Sequence, residues 1–110
     1  MTRKIIAQNR KARYEYFIDE VMEAGIALTG TEVKALRAGR ASIGESYATE
    51  IRGEMYWTGA NIQEYEKGNR FNHPPVRNRK LLLKKREINK ILGKLKTKGV
   101  TVIPLAVYFN

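Results

Sequence analysis

The strand-forming residues of this chain come in short runs closed by glycine, and that interruption limits the fold more than any other feature. Residues 14–21 hold Tyr14, Tyr16, Phe17, Ile18 and Val21 and read as a strand. Glu23-Ala24-Gly25 then makes a tight connection, with Gly25 able to supply positive φ. Ile26-Ala27-Leu28 opens a second strand, so the two predict an antiparallel hairpin. Residues 46–52 and 54–62 flank Gly53 and read as a second hairpin carrying Tyr47, Ile51, Tyr56 and Trp57. Residues 101–109 return to strand composition, and Pro104 there marks an edge or a bulge.

Helical signals fall between these runs. Thr29 followed three residues later by Glu32 fits a capping box. Val33, Leu36 and Arg37 continue at helical spacing, and Gly39 is a good stop. Leu81, Ile88, Ile91, Leu92 and Leu95 predict a longer helix with one apolar face. Lys84, Lys85, Lys90, Lys94 and Lys98 fall largely off that face, and Gly99 is the expected C-cap. Residues 1–8 read as a flexible lead-in. Residues 66–78, rich in Gly, Asn and Pro with only Phe71 and Val76 to anchor them, read as a long mobile loop. The order strand, strand, short helix, strand, strand, long basic helix, strand suits a mainly β fold. The expectation is one domain over residues 1–110, a small antiparallel β-barrel of oligonucleotide-binding type with flanking α-helices. A generic α+β sheet with helices on one face is the alternative.

Charge narrows the function. The net charge is +10, but residues 1–13 carry +5, residues 14–66 carry −6 and residues 67–98 carry +11. An evenly solubilised surface intersperses the signs, whereas blocks of one sign attract polyanions. The run Asn9-Arg10-Lys11-Ala12-Arg13-Tyr14 sets cations beside an aromatic, and the stretch from Arg77 to Arg86 is denser still. A membrane-surface helix would place Trp or Phe at the interface, and the basic helix has neither. No helix-turn-helix, zinc or zipper pattern favours duplex DNA. RNA read by shape and by unstacked bases is the better physical match.

Catalysis is hard to assemble. The chain has no cysteine and one histidine, His73, which the loop reading leaves in solvent. That excludes the usual zinc sites and offers no nucleophile–base pair. Glu15 and Asp19 read as a solvated strand face without the spacing of a cation loop. No P-loop or dinucleotide fingerprint occurs. The expectation is a binder with no catalytic residue, cofactor or metal. No apolar run nears the roughly 20 residues of a membrane span, and the N-terminus does not read as a signal peptide, so the cytoplasm is the expected location.

Longer strings carry a resemblance. They are Asn9-Arg10-Lys11-Ala12-Arg13-Tyr14-Glu15-Tyr16-Phe17 within residues 6–18, and Glu23-Ala24-Gly25 leading into Thr29-Gly30-Thr31-Glu32-Val33-Lys34-Ala35-Leu36-Arg37-Ala38-Gly39 within residues 23–41. The third is Arg77-Asn78-Arg79-Lys80-Leu81-Leu82-Leu83-Lys84-Lys85-Arg86 within residues 77–88. In this order they resemble the small protein B family, the SsrA-binding proteins of bacterial trans-translation. The resemblance implies the barrel and a partner, the tRNA-like domain of transfer-messenger RNA (tmRNA). It also implies delivery of that RNA to stalled ribosomes alongside elongation factor Tu, by a protein expected to be a monomer. A general single-stranded RNA or ribosome-associated module is the alternative.

The resemblance carries RNA contacts onto Asn9, with Arg10, Lys11 and Arg13 in the same basic run, onto Glu23 of Glu-Ala-Gly, and onto Leu82, the middle leucine of Lys-Leu-Leu-Leu. Lys34, Arg37, Lys80 and Lys84 follow as phosphate contacts. A carboxylate in a basic site is sensible if it accepts from a base amino group or orients an arginine. Tyr14 stands where many relatives have histidine, which keeps stacking but not proton-linked behaviour. The sequence ends at Phe109-Asn110, where family members continue with further strand, a Gly-Lys-Lys segment and a basic tail. A form without them is expected to bind the RNA without supporting tagging.

Overall fold

The computed structural model describes residues 4–67, 72–97 and 99–109. Its elements are β1 (Lys4–Gln8), α1 (Ala12–Glu15), β2 (Gly25–Ile26), α2 (Gly30–Arg37), β3 (Ala41–Ser42), β4 (Tyr47–Ile51), β5 (Glu54–Thr58), β6 (Asn61–Ile62), β7 (Arg79–Leu82), α3 (Lys85–Leu95) and β8 (Ala106–Phe109). All strand pairings are antiparallel, in three sheets: β1–β8, β2–β7–β5–β4 and β3–β6. The architecture is mainly β with a few helices. Among the described residues the strands make separate sheets rather than one closed ring.

The β4–β5 hairpin forms where the glycine pattern placed it. Its two-residue turn, Arg52-Gly53, has φ of +52° and +83°, and Ile51 pairs with Glu54. Positive φ at both centres gives the twist that suits a two-residue hairpin. Glu50 Oε2 accepts from the Gly53 N–H at 2.5 Å. Period-two alternation sends Met55 and Trp57 inward. Ser46 Oγ accepts from Trp57 Nε1 at 2.9 Å and donates to the Ile43 carbonyl at 2.6 Å, so the buried indole N–H is satisfied. The capping box also forms: Glu32 N–H donates to Thr29 Oγ1 at 3.3 Å and Thr29 N–H donates to Glu32 Oε1 at 2.9 Å. Gly39 follows α2 at φ +74°.

Two apolar clusters hold the sheets. One joins Ala35 and Leu36 of α2 with Ile43, Trp57, Ala60, Ile62 and Val107. The other packs Ile88 and Ile91 of α3 on Ala48 and Met55. Leu81 touches both.

Several expectations are corrected. The lead-in over residues 1–8 is a paired strand from Lys4 on, joined to β8 about a hundred residues away in sequence. Residues 14–21 are not a strand: Ala12–Glu15 is a helical turn and the rest has no regular structure. Aromatic composition favours a strand only where a partner edge is present. Ile26 therefore has no hairpin partner upstream; β2 pairs with β7 instead. Gly25 does not have positive φ. Leu81 is not helical but lies in β7, from which it packs against the same core as α3. The helix ends at Leu95, before Gly99.

Among the described residues of the loop expected over residues 66–78, several are tied down. Its anchor Phe71 lies outside the described residues. Asn72 accepts from Tyr65 N–H at 3.0 Å and donates to its carbonyl. His73 is not in solvent: it is buried, with Nε2 2.9 Å from the Ile62 carbonyl and Nδ1 2.8 Å from Thr31 Oγ1. A carbonyl can only accept, so Nε2 donates, and in a neutral ring Nδ1 accepts from the threonine hydroxyl.

Candidate nucleic-acid interface

Along β7, Arg79 is buried, Lys80 exposed, Leu81 half-buried and Leu82 exposed. This alternation puts Lys80 and Leu82 on one outward face, and exposed Lys84 follows before α3. Leu82 is 56% exposed. It lies opposite Gly25 in the β2–β7 register, and a Cβ on Gly25 would stand 3.3 Å from the Leu82 Cβ. Glycine is therefore what lets the leucine lie across β2. Glu23, also exposed, sits on the chain entering this edge, and the antiparallel register runs it toward the Lys84 end of β7. Lys80, Leu82 and Lys84 thus share one outward face beside β2, and Glu23 stands on the chain that leads into β2. Lys80 Nζ is 3.9 Å from Glu54, a loose surface pair.

Asn9, Arg10, Lys11 and Arg13 stand elsewhere, just past β1. Asn9 Nδ2 donates to the Pro104 carbonyl at 3.2 Å and its N–H to the Leu105 carbonyl at 2.8 Å. The asparagine therefore fixes the base of the run. Arg10, Lys11 and Arg13 are exposed, as are Tyr14 and Phe17, each at 92%. Lys34 and Arg37 lie on the last turn of α2, over the rings of Tyr65 and Phe109 at 5.6 Å each. They form a third group, not joined to the other two by any described contact.

The structure adds residues that the sequence reading left out. Glu32 is fully buried, and beyond the cap it accepts from Arg77 Nη2 at 2.6 Å, Arg77 Nε at 3.1 Å and Arg79 Nε at 2.5 Å. Arg79, also fully buried, donates besides to the carbonyls of Ala60, Arg77 and Pro75. Burial pushes the Glu32 carboxyl up, but the donors from Arg77, Thr29 and Arg79 outweigh it and hold the group at about 2. The signal was present: Glu32 shares a helical face with Ala35 and Leu36, and an acid on a buried face requires buried partners. Arg77 and Arg79, two apart, can supply them from one face of an extended segment.

Two further acids, Asp19 and Glu20, pair with lysines of α3. Glu20 bridges Lys90, at 2.6 Å, and Lys94, and Asp19 reaches Lys94 at 3.4 Å. Hydrogen bonds from Lys90 and Lys94 lower the Glu20 carboxyl to about 2, and Glu20 in turn raises Lys94. Among the described residues no group of three or more His, Cys, Asp or Glu is placed to hold a metal ion, and no helix is long and apolar enough to cross a membrane. The site offers cations, exposed aromatics, a leucine and a carboxylate: parts for gripping phosphates and bases.

A family model described as SmpB protein matches residues 6–110. The SsrA-binding protein of Novosphingobium aromaticivorans is 56% identical over 108 residues, 98% of this chain and 68% of the relative. That of Bradyrhizobium diazoefficiens is 56% identical over 107 residues, 97% and 68% of the two chains. That of Acetivibrio thermocellus is 53% identical over 108 residues, 98% and 70%. A solved chain from the structure described as "tmRNA-SmpB: a journey to the center of the bacterial ribosome" superposes with a TM-score of 0.76 at 51% identity, covering 94% of this chain and 73% of that one.

Proposed function

The chain belongs to the SmpB protein family, and from that premise we propose that it binds tmRNA through its tRNA-like domain and supports delivery of that RNA to stalled ribosomes in trans-translation. Its activity is binding, not catalysis. The observation that carries this reading is the match to SsrA-binding proteins over 97–98% of this chain and 68% of theirs. The β2–β7 edge gives it a physical form. Charge draws the RNA in and sets register, while Glu23 and Leu82 contact bases. Asn9, Arg10, Lys11 and Arg13 form a second contact beside exposed Tyr14, whose ring is free to stack. Lys34, Arg37, Lys80 and Lys84 meet phosphates. Elongation factor Tu joins through the RNA, and the protein acts as a cytoplasmic monomer.

The three sheets are read as arcs of one small barrel of oligonucleotide-binding type. Supporting this, Val102 bridges to Ala48 of β4, and Val76 bridges to Asn61 of β6, so two of the three breaks between sheets carry a single bridge. The remaining gap lies between β1 and β3, where Ile6, Ala7 and Ala41 pack against one apolar cluster.

A titration of labelled tRNA-like domain against an unrelated hairpin of equal length tests the function. Preference for the tRNA-like domain supports it; equal affinity reduces the chain to a general RNA-binding module.

A further inference from the structure

Residues 16–24 have no regular secondary structure, yet they carry Glu23 to the β2–β7 edge. They expose Phe17, Val21 and Met22 rather than burying them. Among the described side-chain hydrogen bonds and ion pairs of residues 17–22, every one is made by Asp19 or Glu20, and all reach α3. Lys90 and Lys94 stand one turn apart on that helix, a spacing at which like charges repel. Glu20 relieves this by giving one carboxylate oxygen to each lysine. We propose that Asp19 and Glu20 are positioning residues for RNA recognition: they clasp the irregular segment to α3 and so hold Glu23 where it meets the RNA.

The inference rests on the RNA-binding reading and deepens it. Its consequence has a sign opposite to simple electrostatics. Removing an acid from a basic RNA-binding protein strengthens attraction to phosphate. If the acid is a clasp, removing it lets the segment that presents Glu23 wander, and binding weakens. The exposed pairs are individually small, but they fall together on one short segment without regular secondary structure, and they are screened as salt rises.

The test is a double-mutant cycle: wild type, Glu20→Gln, Glu23→Ala and the double variant, each titrated with the tRNA-like domain of tmRNA at low and moderate salt. Glu20→Gln is expected to weaken binding about fivefold at low salt, as two lost surface pairs would allow. The loss should shrink at higher salt. In the Glu23→Ala background the same change should have less than about a twofold effect, because residues acting through one another are not additive. Backbone NMR order parameters of residues 17–22 should fall in Glu20→Gln while the unfolding midpoint holds, which separates a released segment from a misfolded protein. Equal or tighter binding by Glu20→Gln would overturn the proposal and mark the acids as occupants that RNA displaces. Additive losses would also overturn it. A wild-type protein that does not distinguish the tRNA-like domain from a hairpin would refute the functional reading instead.

Discussion

Glu32→Gln probes the buried ion network that joins α2 to the Arg77–Arg79 segment. Glutamine keeps the shape of the side chain and can still accept from the Thr29 N–H, so the cap survives while the charge goes. The carboxyl moves from an ordinary value of 4.5 to about 2 on folding, and a fall of about 2.5 corresponds to about 3 kcal/mol. Breaking a buried pair by removing one partner falls in the same range, about 3–5 kcal/mol. Arg79 retains three carbonyl acceptors, which favours the lower end. Because the folded value is depressed, the stabilisation is complete above the unfolded carboxylate range and is lost as pH falls through about 2. The assay is urea unfolding followed by the fluorescence of Trp57, the only tryptophan and a buried one. The variant should be less stable by about 3 kcal/mol at pH 7, and the gap from wild type should narrow between about pH 5 and pH 2. Glu20 titrates in the same window, but it is present in both proteins and cancels in the difference. A gap below about 1 kcal/mol at pH 7, or one independent of pH, would refute the assignment of a charged, hydrogen-bonded Glu32.

Three further outcomes follow from single contacts. Arg52→Asn should raise stability by roughly 0.5 kcal/mol in urea unfolding, because asparagine tolerates the φ of +52° better than arginine does. Ser46→Ala should lower it by about 1–3 kcal/mol, since Trp57 Nε1 then has a buried N–H without its acceptor. Gly25→Ala should disturb Leu82 more than the fold, so the tRNA-like domain should bind severalfold more weakly while the unfolding midpoint shifts little; a large midpoint shift with unchanged binding would contradict this.

What the sequence disclosed and what it hid follow from the range of the interactions. The capping box at Thr29 and the hairpin at Gly53 depend on residues three or fewer apart, and both are present. The β1–β8 and β2–β7 pairings join distant segments, so Lys4–Gln8 read as lead-in and Gly25 read as a turn. Residues 14–21 have strand composition without a partner edge. Outward-facing Leu82 was identified only through resemblance, because its exposure depends on the glycine across the sheet. Local sequence identifies Glu32 as a cap residue, whereas its second role depends on two arginines arriving from residues 77 and 79.

The central claim is that recognition rests on Glu23 and Leu82, with charge supplying attraction. The direct test is the affinity of Glu23→Ala and Leu82→Ala for the tRNA-like domain, compared with Lys96→Ala. Lys96 is exposed at the end of α3; Lys94 would be a poor control, since it also holds Glu20. The two edge variants should each lose about 1–3 kcal/mol with little change in salt dependence, and Lys96→Ala should lose less, mainly at low salt. Three equal losses with the same salt dependence would contradict the account.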